Sequence, residues 1–266
     1  MVVKMKHANG LKAALVIAAA VFVMAGCSKP VTASQETADE ANGENPEGQA
    51  ELIAGPVVSP GVILAQASLW ELKDDGNVYW KKTLNAGDTV IFKGEERRMT
   101  RMPAKVDHDF ILVESDGQDL WVIKGLVAGD AVPGVILYPD TVLYSKALLD
   151  SPVTSKNNIV PQYTIVGVHS GLAENSFSCI SAYLSENWVI IDKRFVKQET
   201  LSTSDHEVQG MKLYRLALAA ENPVIKRELL NNALQVGSSF EGLISEELYK
   251  LDTAPAETEA VEMAAE

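Results

Sequence analysis

Cysteine is scarce in this chain, with two among 266 residues, so no disulfide framework organises the fold. Histidine is scarce too, at four, and aromatic residues make up 6% of the chain. Basic residues are outnumbered, 23 Lys and Arg against 36 Asp and Glu, for a net charge of −13. So acidic a chain has no basic footprint with which to displace counterions from phosphates, which excludes nucleic acid as a partner. Neither a phosphate-binding loop nor a dinucleotide fingerprint occurs, which removes those nucleotide-dependent classes. The apolar run from Ala13 to Ala25 is shorter than the about 20 residues of a membrane span.

What is present begins at that run. Lys4, Lys6 and Lys12 stand in or before its start, and residues 1–26 hold no acid. A charged stretch followed by a short apolar one is the layout of a secretory signal peptide. Ala25-Gly26-Cys27 follows directly. This resembles the lipobox of bacterial lipoproteins, in which small residues admit the peptidase and the cysteine thiol carries lipid. The resemblance implies that residues 1–26 are removed and that Cys27 bears acyl chains such as palmitate. The mature chain then has 20 Lys and Arg against 36 acids, a net charge of −16, and is repelled by anionic headgroups beyond its anchor. Cys179 is left as the single free thiol, in the alternating run Phe177–Tyr183, where a cysteine reads as a small buried hydrophobe. Ser28 stands where an aspartate would signal inner-membrane retention, so the expected location is the cell envelope, on the periplasmic side of an outer membrane.

Residues 27–57 read as an acidic tether. Between Ser28 and Ala50 there is no aromatic residue and one large aliphatic, Val31, so no core can form. As a flexible coil the segment from Cys27 to Pro56 reaches roughly 30 Å. A second low-complexity stretch, 252–266, closes the chain with five acids.

Between these ends the sequence repeats itself. Pro60-Gly-Val-Ile-Leu64 recurs as Pro133-Gly-Val-Ile-Leu137, and Trp121-Val-Ile123 recurs as Trp188-Val-Ile190, in the same order and at similar spacing. Each copy is the size of one small domain. In the first, strands are predicted over 61–72, 78–84, 89–93, 110–114 and 120–123, separated by Asp74-Asp-Gly76, Asn85-Ala-Gly-Asp88 and Ser115-Asp-Gly117. Glycine in such turns supplies positive φ without steric penalty. In the second copy the predicted strands are 134–145, 162–170, 177–184 and 188–192. Short strands at this spacing predict a small barrel or sandwich, and no helical pattern intervenes to make a parallel βαβ sheet.

Val57–Leu64, Lys82–Ile91 and Leu120–Val127 are similar to the bacterial SH3-like domain, which opens with a strand, carries a central Leu–Gly–Val hairpin and closes on Trp-Val. Asn187–Val196 closes the second copy in the same way. The family's Asn-Val-Arg signature and Gly-Pro turn are absent; Leu69–Gly76 and Thr141–Lys146 occupy those places. The resemblance implies tandem SH3-like β-barrels over 58–130 and 131–199. It implies a binding role toward cell-wall peptide, or peptidoglycan, or an envelope protein.

From residue 200 the period changes. Ser204-Asp-His-Glu207 and Ser238-Ser-Phe-Glu241 read as capping boxes. Asn222-Pro223 reads as a cap and first helical position, and Gly237 as a stop. The predicted apolar stripes are Val208, Met211, Tyr214 and Leu218, then Ile225, Leu229, Ala233 and Val236. The expected fold is therefore mainly β plus α, α+β overall, with a helical segment over 200–251.

No catalytic constellation emerges. Alternation on a strand would keep Asp107, His108 and Asp109 from converging on a metal. His169 and Cys179 are the one pair that could supply a base and a thiol nucleophile. Arg97, Arg98, Arg101 and Lys105 form a basic cluster predicted at a hairpin tip. The aromatics Trp70, Tyr79, Trp80, Tyr138 and Tyr144 sit early in the repeats, where SH3-type grooves dock extended peptides. The expectation is a non-catalytic, lipid-anchored binding module with no cofactor and no metal. The second expectation is an envelope scaffold whose C-terminal helices hold a protein.

Overall fold

The computed structural model describes residues 58–184 and 189–253. Cys27, the signal segment, the tether up to Val57, Trp188 and residues 254–266 lie outside the described residues. The fold is α+β, with two larger sheets followed by three helices.

The first sheet comprises β1 (Ser59–Ile63), β2 (Ala67–Leu72), β3 (Val78–Leu84), β4 (Thr89–Arg101), β5 (Val106–Ser115), β6 (Gln118–Ile123) and β7 (Val127–Gly129). Its order is β3-β2-β6-β5-β4-β1-β7. A further parallel contact, Val78 opposite Arg101, joins β3 to β4 and closes strands β2 to β6 into a ring. The turns form where Asp and Gly occur. Gly76, Gly87 and Gly117 have φ of 78°, 83° and 71°. The Asp75 carboxylate accepts from the Asn77 amide and from the Tyr79 hydroxyl, and the Asp88 carboxylate accepts from the Asn85 amide.

The second sheet comprises β8 (Ala131–Ile136), β11 (Ile165–Glu174), β12 (Phe177–Leu184), β13 (Val189–Lys197) and β14 (Leu201–Ser202). Its order is β13-β12-β11-β8-β14. Two short strands, β9 (Thr141–Val142) and β10 (Ile159–Val160), pair beside it.

Three strand expectations are corrected. The run 61–72 is two strands, because β1 pairs with β4 and β7 whereas β2 pairs with β3 and β6. The chain must turn between them to change neighbours. The run 134–145 splits likewise at Asp140, whose φ is 52°. Strand β4 continues to Arg101, well past the expected end at Lys93, because β5 pairs with it along its whole distal half.

Alternation explains the core. In β5, Ile111 and Val113 join the cluster of Ile63, Leu69, Leu120 and Val122. Phe110 lies on the opposite face with Trp70, Val78, Met99 and Trp121. In the second sheet one face carries Ile136, Val166, Val168, Ile180 and Ala182. The other face does three jobs along its length. Val135 and Ile165 pack on the helices. Ala131 packs against Val62, Leu64 and Ala128 of the first sheet. Beyond them lie His169 and Ser181. Gly167 permits this contact between sheets, since a Cβ there would meet the Ala128 Cβ at 2.6 Å.

The helices are α1 (Asp205–Ala219), α2 (Pro223–Gln235) and α3 (Glu241–Thr253). Asn222 caps α2 as expected, its Oδ1 accepting from the amides of Val224 at 2.8 Å and Ile225 at 3.3 Å. Neither capping box forms. Ser204 makes no side-chain cap bond, because Glu207 turns to the amide and hydroxyl of Ser239. Ser238 lies buried against Gly210, three residues before α3 starts. The stripes also differ. Ala217, rather than Leu218, completes the buried face of α1, and Leu230 with Ala233 forms that of α2. These faces are closed by Val135, Ile165 and Ala86, and Lys212 of α1 reaches Asp88 at 2.7 Å. The helices thus pack on both sheets. Among the described residues no helix is long and apolar enough to cross a membrane.

Candidate ligand cleft

The two sheets meet at Asp130, the single residue between β7 and β8, with a φ of 53°. On one side of this junction they diverge and leave a cleft of about 1060 Å³. Three irregularities shape it. Strand β4 shifts register between Phe92 and Glu96, with Gly94 at φ 71°. The turn after β6 holds Gly125 at φ 92°, packed against the Ile190 side chain. Strand β13 bulges at Asp192 and Lys193 opposite Ser181, with Lys193 at φ 47°. Bulges of this kind re-aim side chains and gather beside binding sites. Gly129 lets the Phe92 ring lie against the wall, since a Cβ would meet that ring at 2.5 Å.

A polar hub lies at the floor. His169 is 3% exposed, and its Nε2 stands 2.9 Å from the Ser181 hydroxyl. That hydroxyl accepts from the Lys193 amide at 3.2 Å and lies 3.2 Å from an Asp192 carboxylate oxygen. The His169 ring also bonds to the Asp130 backbone. Burial holds its pKa below the ordinary 6.5, and the nearby Lys193 charge adds to this. The imidazole is thereby kept neutral and fully tied.

Charge around the rim is mixed. Lys93 pairs with Glu114 at 3.0 Å and also with Asp119. Lys124 pairs with Glu96 at 2.5 Å. Lys193, Glu95 and Asp130 make no ion pair among the described residues, and Asp192 touches the Ser181 hydroxyl and lies near enough to Lys124 for its charge to act there.

Cys179 sits directly opposite His169 on the paired strands, so the base and thiol singled out in the sequence are neighbours. The thiol is 1% exposed, and burial pushes its pKa up to about 11. A thiol so held is not a thiolate at neutral pH, and thiolate is the reactive form.

The five aromatics are scattered, and none lines this cleft. Trp70 is 7% exposed in the core beside Trp121, with Arg101 stacked 5.6 Å from its ring centre. Trp80 is 60% exposed, its indole donating to Thr83. Tyr79 donates to Asp75, Tyr138 is exposed, and Tyr144 packs edge-on against Phe177 at 5.1 Å. The basic cluster is spread along β4 rather than gathered at a tip. Arg98 pairs with Asp109 at 3.2 Å, Arg101 covers Trp70, and only Lys105 is in the turn. Asp107, His108 and Asp109 lie on β5, where Asp107 accepts from Thr100 and Asp109 from Arg98. Among the described residues no cluster of acids, histidines and cysteines could hold a metal.

The cleft residues were missed because their juxtaposition depends on the contact between sheets. A signal did exist, in Gly125 and Gly129 flanking the closing segment of the first repeat. No protein-family model and no curated protein matches the chain. Two solved structures similar to it are NlpC2 and NlpC1 from Trichomonas vaginalis, both at 15% identity, with TM-scores of 0.22 and 0.20. The matches cover 62% and 66% of this chain, and the chain spans 57% and 59% of theirs, less than two thirds of either. At such TM-scores the likeness decides nothing about fold or chemistry.

Proposed function

We propose that this protein is a non-catalytic, lipid-anchored binding module of the cell envelope. Cys27 carries the lipid, residues 58–130 and 131–199 act as tandem SH3-like domains, and the cleft between them receives cell-wall peptide or an envelope protein partner. The observation that carries this reading is a cleft of about 1060 Å³ lined by apolar Leu64, Phe92, Val127 and Ile190 beside a fully engaged His169 and Ser181. Its size suits a peptide segment. The single thiol of the mature chain lies beside it buried and protonated, which favours binding over nucleophilic chemistry. Acyl chains stabilise attachment by roughly 0.8 kcal/mol per buried methylene.

The test is retention on purified cell wall. The unaltered protein is expected to sediment with wall fragments, and Ile190→Asp, which places a charge on the apolar wall of the cleft, to sediment less. Absence of retention for the unaltered protein overturns the wall reading.

The scaffold reading rests on a smaller feature. The buried stripes of the helices are already occupied by the two sheets, and exposed Leu218, Val224 and Ile225 remain at the junction of α1 and α2. Ile225→Glu addresses it without touching the pairing of β14 with β8, and is expected to weaken partner capture while leaving wall retention unchanged.

A further inference from the structure

We infer that the occupant of the cleft is an extended peptide carrying a free amino group, with its ammonium received by Asp130 and Asp192. This inference rests on the cleft being the ligand site. Two independent observations support it.

The first is charge. Lys93 and Lys124 are each engaged by carboxylates, Lys93 by Glu114 and Asp119, Lys124 by Glu96. Among the described residues that leaves one lysine without an ion pair, Lys193, beside Glu95 and Asp130, which have none either, and Asp192, whose charge is also felt by Lys124, so carboxylates outnumber ammonium groups around the cleft. The excess is negative, and a cleft with low-dielectric walls focuses that field on its contents. A cationic group is therefore drawn in, and an anionic one is turned away. Asp130 and Asp192 are exposed at the rim next to the hub, since the His169 ring bonds to the Asp130 backbone and Ser181 touches Asp192. An ammonium there gains two acceptors in place of water.

The second is backbone. The cleft is walled by β7 and by β13, and each is the last strand of its sheet. The outer sides of Val127–Gly129 and of 189–191 pair with no described strand, while in the bulge the Lys193 amide donates to Ser181 and the carbonyls of Asp192 and Lys193 accept from the Arg194 guanidinium. Edge strands offer a row of unpaired N–H and C=O groups, and an extended peptide satisfies them by adding a strand. A compact small molecule does not use that row. Phe92 and Ile190, which also line the cleft, offer apolar surface to side chains of the ligand.

The experiment titrates the full chain in detergent micelles with three peptides at low salt. They are acetyl-Ala-Lys-Ala-Leu-Ala-amide, its Nε-acetyl-lysine counterpart, and the version with Glu in place of Lys. The lysine peptide is expected to bind at least about tenfold more tightly than either control, with affinity falling as salt rises. The double variant Asp130→Asn, Asp192→Asn keeps the side-chain shapes and is expected to lose that preference. Asn at 192 still offers an oxygen to the Ser181 hydroxyl, and an unchanged amide spectrum is the expected sign that the double variant folds. Equal binding of the three peptides, or preference for the Glu peptide, overturns the amine assignment while leaving the binding reading in place. Wall retention undiminished in the double variant does the same. Failure of all three peptides together with failure of wall retention by the unaltered protein overturns both.

Discussion

At the residue scale, His169 is the group whose environment departs most from what its sequence neighbours suggest. It sits on an alternating strand as any core residue would, yet it ties Ser181, Asp130 and, through Ser181, Lys193 and Asp192 into one hub. Burial lowers its pKa from 6.5, so the unfolded chain takes up a proton that the folded one resists. Its contribution to stability is full above about pH 6.5 and is lost as pH falls from there toward the folded value. Urea midpoints measured from pH 8 to pH 5 are expected to fall more steeply for the unaltered protein than for His169→Gln; parallel slopes would contradict this. The sequence showed that Cys179 would be a small buried side chain, because alternation places every second residue of 177–184 inside. It did not show that His169 stood opposite, since cross-strand register depends on where β11 and β12 turn.

At the scale of elements, much was legible where chemistry is local. Strands β3 and β12 have the limits read from the sequence, and the turns at Asp75-Gly76 and Asp116-Gly117 follow from glycine's access to positive φ. Strand lengths that depend on partners were not legible, as at β4, which is long only because β5 runs beside it. Caps divide the same way. Asn222 acts on amides two and three residues away and needs nothing else. Glu207 has a choice between its own helix and Ser239, and the tertiary partner wins by offering both an amide and a hydroxyl. Asn222→Ala is therefore expected to destabilise the fold by about 1 kcal/mol. Ser204→Ala, with no cap bond to lose, is expected to change it by less than about 0.5 kcal/mol. Equal losses in chemical denaturation would show that the cap assignment is wrong.

At the scale of the whole molecule, the repeat visible in the sequence matters because its two copies face each other. Pro60–Leu64 becomes β1 and its continuation, Pro133–Leu137 becomes β8 and its continuation, and the sheets carrying them touch through Val62, Leu64, Ala128 and Ala131. The cleft arises beside that contact, so its lining is drawn from positions far apart in the chain. The aromatics early in each repeat, Trp70 in the first and Tyr144 in the second among them, were candidates for a peptide-docking groove. The structure instead places Trp70 inside the first sheet's core and Tyr144 against Phe177. The proposed function puts a lipid on Cys27 and a peptide in the cleft of one chain, and the segment between them, taken from the sequence as a flexible coil, gives a reach of roughly 30 Å. A protein with that function would hold a membrane against a wall. The direct measurement is co-sedimentation of purified wall fragments with lipid vesicles carrying the acylated protein. Vesicles are expected to sediment with the wall when the protein is present. With Cys27→Ala the protein is expected to sediment alone, leaving the vesicles in the supernatant. Vesicles that stay in the supernatant with the acylated protein, or that sediment equally with Cys27→Ala, would contradict the account.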